Sequence, residues 1–128
     1  MPKDLDTMIV LTTGKQDRGT RATLAFSWGC AALAMNKSAA IYLTMDGTVW
    51  GMRGAAKGVE VGGFESLDEY VENFTALGGE ILVCAPCSEY YCSFEAGAAQ
   101  GTLIDEVTLV GLATIVNRIG ATTKVITF

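Results

Sequence analysis

Glu80-Ile81-Leu82-Val83-Cys84-Ala85-Pro86-Cys87 runs a short apolar stretch straight into a helix start, with no linker between them. Glu80 to Cys84 reads as a strand buried on both faces, because apolar residues follow one another without polar alternation. Pro86 suits the first helical position, where its missing N–H has no helical partner to lose. Cys84 then closes a strand, and Cys87 falls in the first helical turn, beside unpaired backbone N–H groups and the positive end of the helix dipole. A strand that passes directly into a helix is the unit of an α/β fold.

The same alternation extends outward in both directions. Upstream, Thr7 to Thr13 is a β-rich apolar run, and Gly14-Lys15-Gln16-Asp17-Arg18-Gly19 reads as a loop. Thr20 is the expected N-cap of a helix reaching about Met35. A second strand spans about Ala39 to Met45 and stops at the turn pair Asp46-Gly47. Thr48 to about Ala56 is expected to be a short helix, and Gly58 to Gly63 a loop. Ser66-Leu67-Asp68-Glu69 matches a capping box and opens a helix that closes at Gly78-Gly79. Its residues Leu67, Tyr70, Val71, Phe74 and Leu77 have the spacing of an apolar face. Downstream, Val107 to Val110 reads as a strand, Leu112 to Ile119 as a helix ending at Gly120, and Lys124 to Phe128 as the last strand. About five strands alternating with helices predict βαβ units and a mostly parallel sheet in a single α/β domain over residues 1–128. Strand order does not follow from this pattern.

Composition narrows the function. Net charge is −5 and charged residues make up only 18 % of the chain, which argues against nucleic acid as a partner, since phosphate binding needs clustered Lys and Arg. The start is polar and acidic, unlike a secretory signal, and the apolar stretch Leu24 to Met35 is too short to span a bilayer. A cytoplasmic setting is the expectation. In that reducing compartment the four cysteines are expected reduced, reactive or metal-bound, not as a disulfide framework. There is no histidine, so a Ser-His-Asp triad, a Cys-His dyad and a His-ligated zinc site are all excluded within these residues.

Four readings of the cysteines compete. They can be buried small apolar residues, which is the expectation for Cys30 inside its apolar helix. Cys84 and Cys87 can be two zinc ligands with Cys92 as a third, although a closed site needs four and no second knuckle exists. C-x-x-C between strand and helix is the usual cue for a thioredoxin-like oxidoreductase, but here it stands in the last third of the chain with no later proline. Finally, an activated thiolate can accept a sulfane sulfur and hand it to another thiolate, which needs no imidazole. A thiol of ordinary pKa near about 8.5 is a few per cent ionised at neutrality, and a fall of about two units makes thiolate the majority form. Lys15, Arg18 and Arg53 are placed in or near loops on the same expected edge and would favour that ionisation.

Other signals carry less. Gly14 and Gly19 have the spacing of phosphate-loop glycines, but Thr20 stands where the lysine belongs, so the motif fails. Asp46 ends a strand at the ligand-binding edge, yet a turn-forming Asp-Gly accounts for it equally. Trp28, Trp50, Met35 and Met45 read as core or subunit interface.

With these elements in order, the chain from Met8 to Phe128 resembles the DsrE/DsrF-like family. The resemblance is carried by Ile9-Val10-Leu11-Thr12-Thr13-Gly14, the Ala-rich helix Arg21 to Met35, and Ile41-Tyr42-Leu43-Thr44-Met45-Asp46-Gly47. It continues through Gly79 to Cys87, Gly111-Leu112-Ala113 and Val125-Ile126-Thr127-Phe128. It implies a three-layer α/β/α sandwich, homo-oligomers (commonly trimers or hexamers) and, for the best understood members, a sulfur-relay role. In those members a cysteine at the end of the third strand bears a persulfide; Cys84 matches it, and Cys87 matches a second cysteine present in part of the family. Tyr91-Cys92 departs from the Arg-Gly found there in many relatives.

The reading is therefore a sulfur carrier or sulfurtransferase that passes sulfane sulfur to other sulfur-relay proteins. Cys84 and Cys87 are its catalytic residues, Lys15, Arg18 and Asp46 its substrate-binding residues, and it has no metal and no cofactor. The alternative is a non-catalytic oligomeric assembly module with structural cysteines.

Overall fold

A computed structural model describes residues 4–92 and 103–128. The sheet consists of β1 (Thr7–Leu11), β2 (Ala39–Leu43), β3 (Glu80–Cys84), β4 (Val107–Val110) and β5 (Lys124–Thr127). All neighbours pair in parallel in the order β4-β3-β2-β1-β5, with Leu11 opposite Leu43 and Leu43 opposite Val83. Every residue of the central β2 is buried, as a strand covered on both faces must be. β1 and β2 stop two residues short of their expected ends. Thr44 N–H still reaches the Leu11 carbonyl at 3.2 Å, but the chain then turns away from the ladder.

One face of the sheet carries α1 (Thr20–Ala34) and α2 (Leu67–Ala76), which close over Ile9, Leu11, Ile41, Leu43, Ile81 and Val83. Phe26 and Phe74 meet edge to face at 5.8 Å. Gly29 permits this, since a Cβ there would sit 2.6 Å from the Phe74 ring. Ser66 caps α2 as expected, its hydroxyl accepting from Glu69 N–H at 3.3 Å. Leu77, expected on the apolar face, lies just beyond the helix and is exposed.

Three local expectations are corrected. Thr20 is the first residue of α1 and not its cap; Gly19 holds the cap position at φ 85°. The Asp17 carboxylate satisfies the first amides instead, accepting from Gly19 N–H at 3.1 Å and Arg21 N–H at 3.0 Å. In place of a helix over Thr48–Ala56, a tight 3₁₀ turn occupies Met45–Gly51. There a Cβ on Gly47 would collide with the Leu11 carbonyl, so the segment wedges against the end of β1 and leaves no room for a wider helix. The helix after β4, α4 (Leu112–Asn117), ends before Ile119, because Arg118 turns to make a two-pronged ion pair with Glu80 at the start of β3. Of the large residues assigned to core or interface, Trp50 is core and donates its indole N–H to Thr13 O at 2.9 Å, whereas Trp28, Met35 and Met45 face outward.

The second face bears α4 alone among the described helices longer than three residues. Leu5, Met8, Ala40, Tyr42, Leu82, Val110 and Ile115 pack there together with Cys84 and Cys87. Moving from β1 to β4 the chain steps always in one direction, so right-handed crossovers keep the connections on one face. Just before β4, Ile104 packs against the first-face cluster and Leu103 bridges Met52. From β4 the chain goes back past three strands to β5, and α4 lies on the opposite face. In an open α/β sheet the carboxyl ends of the strands are the usual place for a ligand.

Candidate functional site

Cys84 is the last residue of β3, at the carboxyl edge of the sheet, paired with Val110 of β4, and its side chain points to the second face. The helical segment that follows is α-helical only over α3 (Ala85–Cys87), with Pro86 as its second residue, and continues as a wider π turn over Ser88–Cys92. Three residues carry little dipole, so individual donors matter more here than a helix field. Cys87 Sγ accepts the backbone N–H of Met45 at 3.3 Å and lies 3.5 Å from the Thr44 hydroxyl. Both groups belong to the loop after β2. Met45 holds φ at 53°, a left-handed conformation that a long side chain seldom adopts, and this turn aims its N–H at the Cys87 sulfur.

Both thiols are free and buried, each about 8 % exposed. Burial pushes the Cys84 thiol up, but hydrogen bonding outweighs it. The side chain and backbone N–H of Cys87 act first, then the hydroxyls of Tyr42 and Thr44, and together they hold Cys84 below the ordinary thiol range. The Cys84 sulfur makes no close capping bond to α3, so these are longer contacts that would tighten around a thiolate. Cys30 goes the other way, raised by burial and by the Glu65 charge, and its thiol points at the Tyr70 carbonyl at 3.4 Å. It is the half-buried apolar residue its helix implied.

The remaining site residues divide. Lys15 and Asp46 line one cleft of about 280 Å³ with Gly14, Gln16 and Val49 at the ends of β1 and β2. Asp46 accepts from Gln16 Nε2 at 3.1 Å, and Lys15 Nζ stands 5.9 Å from the Trp50 ring centroid. Asp46 directly follows Met45, so the cleft and the thiols share a loop. Arg18 lies apart, in a neighbouring recess with Gln16, Asp17, Thr20 and Arg21. Arg53 is taken up by Asp105 at 2.6 Å. The groups that lower Cys84 are the thiol and N–H of Cys87 and the hydroxyls of Tyr42 and Thr44. Tyr42, Thr44 and the Met45 N–H were invisible in the sequence, because they reach the cysteines only through the pairing of β2 with β3.

Among the described residues no three Cys, Asp or Glu side chains gather as metal ligands. The Cys92 side chain, the third ligand of the zinc reading, lies outside the described residues. Among those residues no helix is long and apolar enough to cross a membrane.

The family model for the DsrE/DsrF-like family matches residues 6–128. The chain belongs to the DsrE/DsrF-like family. Solved structures agree on the DsrE-like fold. The YchN protein of E. coli superposes with a TM-score of 0.71 at 20 % identity, covering 95 % of this chain and 97 % of that one. A protein of unknown function from Methanobacterium thermoautotrophicum gives 0.64 at 17 % identity over 95 % and 98 %. One from Bacteroides thetaiotaomicron gives 0.58 at 12 % over 96 % and 95 %. No functionally curated protein matches the chain in sequence. Membership in the DsrE/DsrF-like family points to sulfur relay as the general theme.

Proposed function

We propose that this protein is a cytoplasmic sulfur carrier that accepts and passes on sulfane sulfur as a persulfide on Cys84. The observation that carries the reading is the convergence of hydrogen-bond donors on two free thiols at the carboxyl ends of β2 and β3. In loading, the Cys84 thiolate attacks the terminal sulfur of a donor persulfide; a new S–S bond forms, the old one breaks, and the donor leaves as thiolate. In unloading, an acceptor thiolate attacks the terminal sulfur and Cys84 leaves with the electron pair. Neither direction consumes an oxidant or a reductant. Cys87, held by Met45 and Thr44, assists as a donor to Cys84 or receives the sulfur in turn. In this reading Lys15 and Asp46, which line the adjoining cleft, grip a donor or acceptor, and Arg18 meets the wider surface of a relay protein.

The same proposal includes a homo-oligomer, a trimer or hexamer. Its support is the second face, where Leu112 and Val116 are 66 % and 67 % exposed and Val125 also faces out. The deciding experiment is intact-mass measurement after incubation with polysulfide. A gain of about 32 Da on the native chain, lost in Cys84→Ala, is the expected result. No adduct on reduced protein from polysulfide or from a protein persulfide donor rejects the reading and leaves the cysteines structural.

A further inference from the structure

Tyr42 is the last residue but one of β2, and its ring enters the second face among Met8, Ala40, Leu82, Val110 and Ile115. The residue is about 3 % exposed, and its hydroxyl has no hydrogen bond of ordinary length among the described residues. A buried hydroxyl without a partner is unfavourable, and a phenylalanine would fill the same space at no such cost. The placement of that hydroxyl is not arbitrary. Tyr42 pairs with Leu82, so Cys84 is its diagonal neighbour on the same face, within the span an aromatic side chain bridges. The titratable groups acting on Tyr42 are the two thiols, with the Thr44 hydroxyl as the remaining polar neighbour. The hydroxyl therefore stands near a sulfur that gains negative charge whenever Cys84 ionises or leaves as thiolate.

Resting on the carrier reading above, we infer that Tyr42 is the hydrogen-bond donor to the Cys84 sulfur as it departs as thiolate, which makes Cys84 a ready leaving group when the carried sulfur is handed on. In that step the acceptor thiolate forms a bond to the terminal sulfur, the Cys84 S–S bond breaks, and its electron pair stays on Cys84. Tyr42 keeps its proton throughout and shortens its contact to the new anion. Burial first, and then the neighbouring thiols, push the phenol up to about 12, so it remains a donor over the whole range in which thiols exchange. A lower leaving-group basicity speeds departure. The device favours giving sulfur away over holding it.

Tyr42→Phe removes one oxygen and leaves the packing. On sulfur-free protein, the pH midpoint for alkylation of Cys84, read by peptide mass mapping, is expected to rise by about one unit, the effect of a lost hydrogen bond to the charged form. From persulfide-loaded protein, transfer to a small thiol is expected to slow, because a more basic leaving thiolate departs less readily. Tyr70→Phe serves as the control and should shift neither. An unchanged midpoint in a folded Tyr42→Phe variant overturns the inference. If that variant misfolds, a fluorotyrosine placed at position 42 is the second test: being a stronger donor it must lower the midpoint, and no shift is again fatal. The midpoint needs no sulfur transfer, so a chain that never loads sulfur refutes the carrier reading while leaving the Tyr42 contact separately measured.

Discussion

The backbone N–H of Met45 donates to Cys87 Sγ across 3.3 Å, tying the loop after β2 to the first turn after β3. These residues are 42 positions apart in sequence. They meet because β2 and β3 are neighbours in the sheet and because Gly47 lets the intervening turn press against the end of β1. The sulfurs thus depend on a contact between two strand ends and not on a long helix.

Thr44 lies at the centre of that contact. Thr44→Val removes a hydroxyl near Cys87 and one of the groups that lower Cys84. We expect Cys84 alkylation to need a higher pH, while the thermal midpoint changes by only a few degrees, as for the loss of one weak hydrogen bond worth about 1 kcal/mol. An unshifted alkylation profile would exclude Thr44 from the site.

The thiols should react in a set order. Cys84 is lowered by hydrogen bonding against burial, whereas Cys30 is raised by burial and by Glu65. Limited alkylation near neutral pH is expected to label Cys84 well before Cys30. Peptide mapping that found Cys30 first would contradict the geometry of both residues.

Stability should depend on pH through Tyr42 and Cys84 with opposite signs. The Tyr42 phenol is raised from 10.0 to about 12, chiefly by burial, so its contribution is whole below pH 10 and disappears as pH climbs through 12. Cys84 is lowered from 9.0, burial being outweighed by hydrogen bonds; its contribution is whole above pH 9 and disappears as pH falls through the folded value. Their joint contribution is greatest between pH 9 and 10. Denaturant unfolding across pH should show Tyr42→Phe losing the alkaline decline and Cys84→Ser losing the acid-side one.

Core and site should separate under mutation. Phe74 is fully buried, meets Phe26 edge to face and fills the space left by Gly29 and Gly79. Phe74→Ala is expected to cost about 3–5 kcal/mol in unfolding experiments. Since it lies on the first face, away from the thiols, the pH profile of Cys84 alkylation should be unaltered under conditions where the variant is folded.

The exposed apolar residues of α4 offer a test of assembly. Paired changes Leu112→Glu and Val116→Glu put charge where a subunit contact is proposed. Light scattering should report monomers, with circular dichroism unchanged. Persistence of the native mass would remove this face from the interface.

Much of the architecture was legible because it is written in local patterns. Continuous apolar runs at Thr7, Ala39 and Glu80 could only be strands covered on both faces. Ser66 and Glu69 marked the start of α2, and Asp46-Gly47 marked the turn that follows β2. The absence of histidine removed imidazole chemistry, and the Cys84–Cys87 spacing put two thiols at a strand-to-helix junction. Boundaries went astray where tertiary contact overrode local preference: Asp17 took the capping role from Thr20, and Gly47 against Leu11 turned an expected helix into a 3₁₀ turn.

What the sequence alone determined is the class of fold, the strand-to-helix position of the two cysteines and the exclusion of imidazole chemistry, since these follow from residue type and near-neighbour spacing. Only the tertiary structure decided which groups face the sulfurs. The order β4-β3-β2-β1-β5 brings Tyr42, Thr44 and Met45 to Cys84 and Cys87 and draws Arg53 off to Asp105. Hydrogen bonds and desolvation act over a few ångströms of space, and strand pairing, not chain distance, sets which residues lie within that range.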